Sequence, residues 1–97
     1  MSEINIKEFI KLLDEKKLNI IDIRPPHQTA IGKIPFSKNI SHTLLIKSPN
    51  LYLNKNEKYY IYCQGGSLSK QVVDILNNAG YNTVNISGGY NNYLLRN

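Results

Sequence analysis

A strand, a short turn and a helix are predicted to follow one another between residues 59 and 79. Residues 59–62, Tyr-Tyr-Ile-Tyr, have the aromatic and β-branched composition of a strand. Residues 63–67, Cys-Gln-Gly-Gly-Ser, have the composition of a turn. The only cysteine, Cys63, is therefore expected where the strand ends and the helix begins. From Ser69 onward the apolar residues recur at helical spacing, at Val72, Val73, Leu76 and Ala79.

A cysteine in this position is suited to act as a nucleophile. The first N–H groups of a helix lack intrahelical acceptors and carry partial positive charge. Gly65 and Gly66 allow the loop to curl, so that successive N–H groups converge into an anion-binding nest. Such surroundings stabilise a thiolate, which is the reactive form of cysteine. The alternative is that Cys63 is a small buried apolar residue that ends a core strand.

The rest of the chain alternates between strand and helix patterns. This alternation predicts an α/β domain with a mainly parallel five-stranded sheet flanked by helices. Binding sites in such sheets lie beyond the carboxyl ends of the strands, so Cys63 and Arg24 are expected to face one crevice. The predicted strands are 3–5, 19–24, 39–40, 59–62 and 82–86, the helices are 6–16, 42–47, 69–79 and 90–96, and the loops are 27–38 and 49–56.

Two polar pairs outside this unit are candidate functional groups. Asp22 and Arg24 lie two residues apart, so they share one face of their predicted strand. A structural ion pair is the favoured interpretation, and a direct catalytic role is the alternative. His27 and His42 have no metal-ligand spacing to each other, to Cys63 or to a carboxylate cluster. We therefore predict no metal site, and we interpret both histidines as surface or capping residues.

The composition predicts a single small domain, 1–97, in the cytoplasm. Ninety-seven residues are enough to bury one core. One cysteine excludes an intramolecular disulfide and favours a reduced, intracellular setting. The sequence has neither a signal-peptide pattern nor an apolar run long enough to span a bilayer, so no membrane partner is expected.

The basic charge of the chain does not predict a nucleic-acid partner. The net charge is +5, but the lysines are scattered and form no block of like charges. A solvated surface is therefore favoured over a polyanion footprint. Tyr59, Tyr60 and Tyr62 could offer base-stacking rings, but successive residues of a strand face opposite sides. A buried strand accounts for these tyrosines better.

Several segments together resemble the rhodanese-like domain family. They cover nearly the whole chain in the right order, so the protein resembles a small, single-domain rhodanese with a three-layer α/β fold. The matching segments are Ile21-Asp22-Ile23-Arg24 and Gly32-Lys33-Ile34-Pro35, similar to D-V-R … G-H-I-P; Asn39-Ile40; Tyr60-Ile61-Tyr62-Cys63 with its loop to Leu68; Ala79-Gly80-Tyr81 with Val84; and Ser87-Gly88-Gly89-Tyr90.

The resemblance implies a sulfurtransferase that works without a cofactor. Cys63 would take a sulfane sulfur from thiosulfate or a persulfide and become a persulfide itself. The outer sulfur would then pass to cyanide, a thiol or an acceptor protein. The cradle for the sulfur and the leaving anion would be Gln64, Gly65, Gly66, Ser67, Leu68 and Ser69, with Asp22, Arg24 and Lys70 as supporting residues.

Two departures from the family pattern bear on the sulfur donor. Leu68 stands where the family loop often has an arginine, and Lys33 replaces the histidine of G-H-I-P. Without a guanidinium at position 68, thiosulfate is expected to be a poor donor unless Lys70 partly replaces it. A related Cys-based phosphatase is disfavoured because Ser69 stands where its phosphate-binding arginine is needed. A non-catalytic rhodanese-like module that binds or regulates proteins remains the alternative function.

Overall fold

The computed structural model describes residues 2–96, in which five parallel strands form one sheet flanked by helices. The order of the strands across the sheet is β1-β5-β4-β2-β3. The predicted fold class is confirmed. The strands are β1 (Glu3–Ile4), β2 (Asn19–Asp22), β3 (Lys38–Asn39), β4 (Lys58–Tyr62) and β5 (Asn82–Ile86), and the helices are α1 (Ile6–Glu15), α2 (Pro26–Ile31), α3 (His42–Lys47), α4 (Ser67–Asn78) and α5 (Gly89–Leu94), with a 3₁₀ turn at Pro49–Leu51.

The central strand β4 separates two apolar layers. Tyr59 and Ile61 pack with α3 and α4 in one layer, whereas Tyr60 and Tyr62 pack with α1 and α5 in the other. This alternation follows from the two-residue period of a strand. All three tyrosines of β4 are at most 9% exposed, so they offer no stacking surface for nucleic-acid bases.

The first helix begins at the residue that the sequence predicts as its cap. Asn5 Oδ1 accepts a hydrogen bond from the Glu8 N–H at 2.8 Å, and Asn5 Nδ2 donates to Glu8 Oε1 at 3.0 Å. The two side chains thus satisfy a free donor of the first turn, as in a capping box. Phe9 then buries the apolar face of α1 against Tyr60.

The structure corrects two of the predicted boundaries near the site. The predicted strand 19–24 ends at Asp22, and the segment 27–38, expected to be a loop, contains α2. Pro26 opens this helix, where its missing N–H has no cost, and Thr29 N–H donates to the Pro25 carbonyl. None of the helices within residues 2–96 is long and apolar enough to cross a membrane.

The structure also moves two helix boundaries in the second half of the chain. Helix α4 begins at Ser67 rather than Ser69, because Gly66 adopts a left-handed φ of +93° immediately before it. The terminal helix, predicted over 90–96, runs from Gly89 to Leu94. Gly80, with φ +95°, directly follows the cap of α4, as the sequence predicts.

Candidate active site

Cys63 lies immediately beyond the carboxyl end of β4, in the wall of an open cleft of about 310 Å³. Cys63 is only 6% exposed, so its sulfur is reached through this cleft. Arg24 also lines the cleft, because β2 and β4 are neighbouring parallel strands that end at the same edge of the sheet. The remaining lining residues are Ile23, Pro25, Gln28, Gln64, Gly65, Ser67 and Leu68.

The loop after Cys63 folds back onto the cysteine sulfur. The N–H groups of Gly66 and Ser69 donate to Cys63 Sγ at 3.1 and 3.3 Å, and Ser69 Oγ lies 3.2 Å from the same sulfur. The turn needs glycine at position 66, because a Cβ there would lie 2.8 Å from the Gly88 nitrogen. The sulfur therefore sits in a small nest of donors that can hold negative charge.

A buried hydrogen-bond chain lies behind the sulfur. The Ser69 hydroxyl donates to Asn85 Oδ1, and Asn85 Nδ2 donates to Glu3 Oε2 at 3.0 Å and to the Gly66 carbonyl at 3.3 Å. Ser69 is fully buried and Asn85 is 2% exposed. The Ser69 hydroxyl also lies 3.2 Å from the Gly66 carbonyl, so its one proton has three acceptors within reach: Asn85 Oδ1, the Gly66 carbonyl and Cys63 Sγ. Asn85 was not among the predicted site residues, although a polar residue within the predicted strand 82–86 was an available signal.

Asp22 and Arg24 form a buried ion pair at the side of the cleft. Arg24 Nε donates to Asp22 Oδ1 at 3.0 Å, and Arg24 Nη2 donates to Asp22 Oδ2 at 2.7 Å. Burial raises the pKa of the Asp22 carboxyl, but the hydrogen bonds from Arg24 and Tyr62 and the charge of Arg24 hold it below its usual value. The geometry matches the structural interpretation of this pair.

The remaining donors of Arg24 connect three segments of the chain. Arg24 Nη1 donates to Gln64 Oε1 at 3.2 Å, and Nη2 donates to the Gly32 carbonyl at 2.7 Å. The guanidinium also lies 4.1 Å from the ring centroid of Tyr90. Arg24 therefore fixes the positions of these segments around the cleft. Its charge is compensated by Asp22.

The hydroxyl of Tyr62 completes the network around Asp22. It donates to Asp22 Oδ2 at 2.8 Å, accepts from the Ile34 N–H at 3.1 Å, and lies 3.0 Å from Ser37 Oγ. Burial raises the pKa of Tyr62 to about 12. This neutral hydroxyl joins the strand that carries Cys63 to the segment after α2.

The Gly-Gly-Tyr segment holds the cysteine loop from the other side. The N–H of Tyr90 donates to the Cys63 carbonyl at 2.9 Å, and the N–H of Asn91 donates to the Gln64 carbonyl at 3.0 Å. Gln64 Nε2 also donates to Asn91 Oδ1 at 2.6 Å. The start of α5 thus fixes the backbone from which the thiol projects.

The other residues singled out in the sequence differ in their distance from the cleft. Leu68, 37% exposed, lies in the cleft wall. Lys70 is exposed on α4 and is not a lining residue. Lys33 is also outside the cleft and donates to the Ser37 carbonyl at 3.1 Å. Among residues 2–96, no group of three or more His, Cys, Asp or Glu side chains is arranged to hold a metal ion.

Comparison with known proteins identifies the family of this chain. The family model of the rhodanese-like domain matches residues 5–96. The crystal structure of SSP1007 from Staphylococcus saprophyticus is 39% identical, with a TM-score of 0.87 and coverage of 96% of this chain and 93% of that one. A rhodanese-like domain protein from Staphylococcus aureus is also 39% identical, with a TM-score of 0.85 and coverage of 96% and 91%.

A sequence relative carries a more specific name. YtwF of Bacillus subtilis, provisionally named a sulfurtransferase, is 30% identical over 79 residues, which cover 81% of this chain and 76% of YtwF. The family match extends over the strand, the cysteine loop and the Gly-Gly-Tyr segment. The chain therefore belongs to the rhodanese-like domain family.

Proposed function

We propose that the chain is a sulfurtransferase that carries a sulfane sulfur on Cys63. The observation that carries this proposal is the pair of backbone N–H groups, from Gly66 and Ser69, directed at Cys63 Sγ. They stabilise the thiolate, which is the nucleophile in such a transfer. The rhodanese-like family and the sulfurtransferase name of YtwF support the same reaction class.

The proposed reaction has two displacement steps. The Cys63 thiolate attacks the outer sulfur of the donor, the donor's S–S bond breaks, and its electron pair leaves with the donor's remaining group. The acceptor then attacks the outer sulfur of the Cys63 persulfide and returns Cys63 to the thiolate. No external oxidant or reductant is consumed. The N–H groups of Ser67 and Leu68 are at the start of α4, where they have no intrahelical acceptor and can bind the persulfide anion.

The charge of the cleft favours persulfide donors over thiosulfate. Among its lining residues within 2–96, Arg24 alone carries a formal charge, and Asp22 pairs with it. Leu68 adds an apolar wall at the position where a cation would help to bind a dianion. A protein or small thiol that carries a persulfide is therefore the proposed donor, and a thiol, cyanide or an acceptor protein is the proposed acceptor. A cytoplasmic setting would keep Cys63 reduced between turnovers.

Intact-mass spectrometry tests the proposal. The parent protein and Cys63→Ser are each incubated with inorganic polysulfide or thiosulfate, desalted and weighed. We expect the parent, and not the variant, to gain one sulfur atom from polysulfide and to lose it when cyanide or a thiol is added. Absence of that gain with every sulfane donor would overturn the enzymatic function. A thiosulfate reaction with a low KM would overturn the proposed donor preference.

A non-catalytic module is the second candidate function. Leu68 is 37% exposed and presents an apolar side chain at the cleft, which a docking protein segment could cover. The mass experiment separates the two functions, because a binding module gains no sulfur. It would bind its partner equally well after Cys63→Ser.

A further inference from the structure

A second pocket, of about 290 Å³, adjoins the cleft of Cys63 and shares Leu68 with it as a wall. Ile23, Arg24, Pro25 and Leu68 line both spaces. The residues that line only the second pocket include Asn39, Ser41 and His42, which come from β3 and the start of α3. A molecule whose reacting sulfur lies at Cys63 can therefore extend past Leu68 into this pocket.

The walls of the second pocket are apolar or uncharged. Ile23, Pro25, Pro26 and Leu68 give an apolar lining, and within residues 2–96 the one formal charge that lines it is Arg24. Arg24 is 4% exposed and paired with Asp22, so it offers little free charge to a bound molecule. Because an anion would lose its hydration here without gaining a counterion, the pocket favours a neutral group.

The polar residues of the pocket have hydrogen-bonding capacity left over. Both hydrogens of Asn39 Nδ2 are used, on the carbonyls of Asp22 and Arg24 at 2.8 and 2.9 Å. Asn39 Oδ1 accepts no hydrogen bond from residues 2–96, and within the same range the side chains of Ser41 and His42 make none either. The pocket thus offers one amide acceptor together with a hydroxyl and an imidazole, a set that matches the N–H and C=O groups of an amide.

We infer that this second pocket binds the carbon-containing arm of the sulfur donor, and that the donor is a low-molecular-weight persulfide with a neutral, amide-bearing arm. The inference rests on the proposed function of Cys63. In the step, the Cys63 thiolate attacks the outer sulfur of R–S–S–H, a new S–S bond forms as the donor's S–S bond breaks, and R–S⁻ leaves with the electron pair. The proton stays on the transferred sulfur, so no other reactant is needed.

Kinetics with two donors test the arm site. The persulfide of N-acetylcysteine amide carries the arm, whereas inorganic polysulfide carries sulfane sulfur without it. The readout is the ratio of kcat/KM for the two donors, with cyanide as the acceptor. We expect the double variant Ser41→Ala/His42→Ala to lower this ratio about threefold to tenfold through a higher KM for the amide persulfide, as the loss of neutral hydrogen bonds predicts. Ser41 makes no side-chain cap bond to α3, so the variant should fold.

Two further variants provide a control and a test of the charge preference. Thr43→Ala, on the exposed side of α3 and outside both spaces, is the matched control and should leave the ratio unchanged. Leu68→Arg places a cation in the shared wall, so we expect the ratio to fall while the KM for thiosulfate falls by about tenfold.

The outcomes separate this inference from the function on which it rests. An unchanged ratio in the double variant, with sulfur still loaded on Cys63 from polysulfide, overturns the arm site and leaves the sulfurtransferase function standing. Equal losses with both donors also overturn the arm site. No sulfur on Cys63 from either donor overturns both.

Discussion

Gly89 lies directly against the main-chain carbonyl of Cys63. A Cβ atom added to Gly89 would overlap that carbonyl oxygen, and the φ of Gly89 is +58°, a conformation that favours glycine. Next to this contact, the Tyr90 N–H donates to the same carbonyl. The Gly-Gly-Tyr segment therefore sets the position of the proposed nucleophile through its backbone.

We expect Gly89→Ala to displace the Cys63 loop. The left-handed conformation costs an alanine about 1–2 kcal/mol, and the overlap adds about 1–3 kcal/mol of strain. The free energy of unfolding should fall by about 2–5 kcal/mol, and sulfur loading of Cys63 should slow by at least about tenfold because the thiol is misplaced. Urea unfolding and intact mass measure the two effects. Gly65→Ala, whose Cβ would meet nothing nearer than Asn91 Nδ2 at 3.9 Å, is the control for stability; an equal loss there would contradict the steric explanation.

The Asp22–Arg24 pair predicts a pH-dependent contribution to stability. Asp22→Asn leaves the buried guanidinium without its counterion, which typically costs about 3–5 kcal/mol. The folded pKa of Asp22 lies below its ordinary value of 3.8, so the carboxylate stabilises the fold above that value and loses its effect as the pH falls through the folded pKa. The difference in the free energy of unfolding between the parent and Asp22→Asn should be large at pH 7 and should become smaller in acid.

Urea unfolding at several pH values measures this difference. Asp14→Asn, on the exposed side of α1, removes a carboxylate without an ion partner within residues 2–96 and should change stability by less than about 0.5 kcal/mol. A difference for Asp22→Asn that is the same at every pH would argue against the ion pair as its cause.

Tyr62→Phe should be more destabilising than the removal of a single hydroxyl group suggests. The substitution leaves the Ile34 N–H without its acceptor in a buried place, and such a group costs about 1–3 kcal/mol. Because burial raises the folded pKa of Tyr62 to about 12, its contribution is complete below the ordinary value of 10.0 and is lost between these values as the pH rises. Thermal unfolding from pH 7 to 12 tests both effects.

Tyr60→Phe provides the comparison on the same strand and the same face. Tyr60 is 4% exposed, and its hydroxyl makes no hydrogen bond within residues 2–96. We expect this variant to unfold at a temperature close to that of the parent. If the two variants behave alike, the hydroxyl network of Tyr62 is not what stabilises this edge of the sheet.

The sheet and part of the site followed from local sequence patterns. Alternating strand and helix signals predicted the five parallel strands, and the two-residue spacing of Asp22 and Arg24 predicted their common face. Helix α2 was missed because two successive prolines were interpreted only as breaks, although Pro26 is well suited to the first turn.

The long-range contacts were not predictable from spacing. Asn85 meets Ser69 and Glu3 because β5 lies between β1 and β4, and strand order is not encoded in a local pattern. The contact of Gly89 with Cys63 is of the same kind, since it joins segments that are 26 residues apart (89 − 63). The sequence marked the glycines as a turn, but their partner became visible only in three dimensions.

Phe36 is the one non-glycine residue with positive φ among residues 2–96, at +69°, and it is 82% exposed. Phe36→Gly should therefore be more stable than Phe36→Ala. Both variants remove the ring, but only glycine removes the left-handed strain of about 1–2 kcal/mol, against about 0.5–1 kcal/mol of extra chain entropy. A net advantage of about 0.5–1 kcal/mol for glycine is expected in urea unfolding. An advantage for alanine would argue against strain at this position.

The Ser69 hydroxyl should affect the chemistry of Cys63 more than the binding of the donor. It lies 3.2 Å from Cys63 Sγ and is fully buried, so it touches the nucleophile and is shielded from the cleft. Ser69→Ala keeps the backbone N–H but removes this contact and leaves Asn85 Oδ1 without its donor. We expect kcat for sulfur transfer to cyanide to fall about tenfold or more, with little change in KM for polysulfide. Ser69→Thr, which retains the hydroxyl, should recover most of kcat; a rise in KM alone for Ser69→Ala would assign the hydroxyl to donor binding instead.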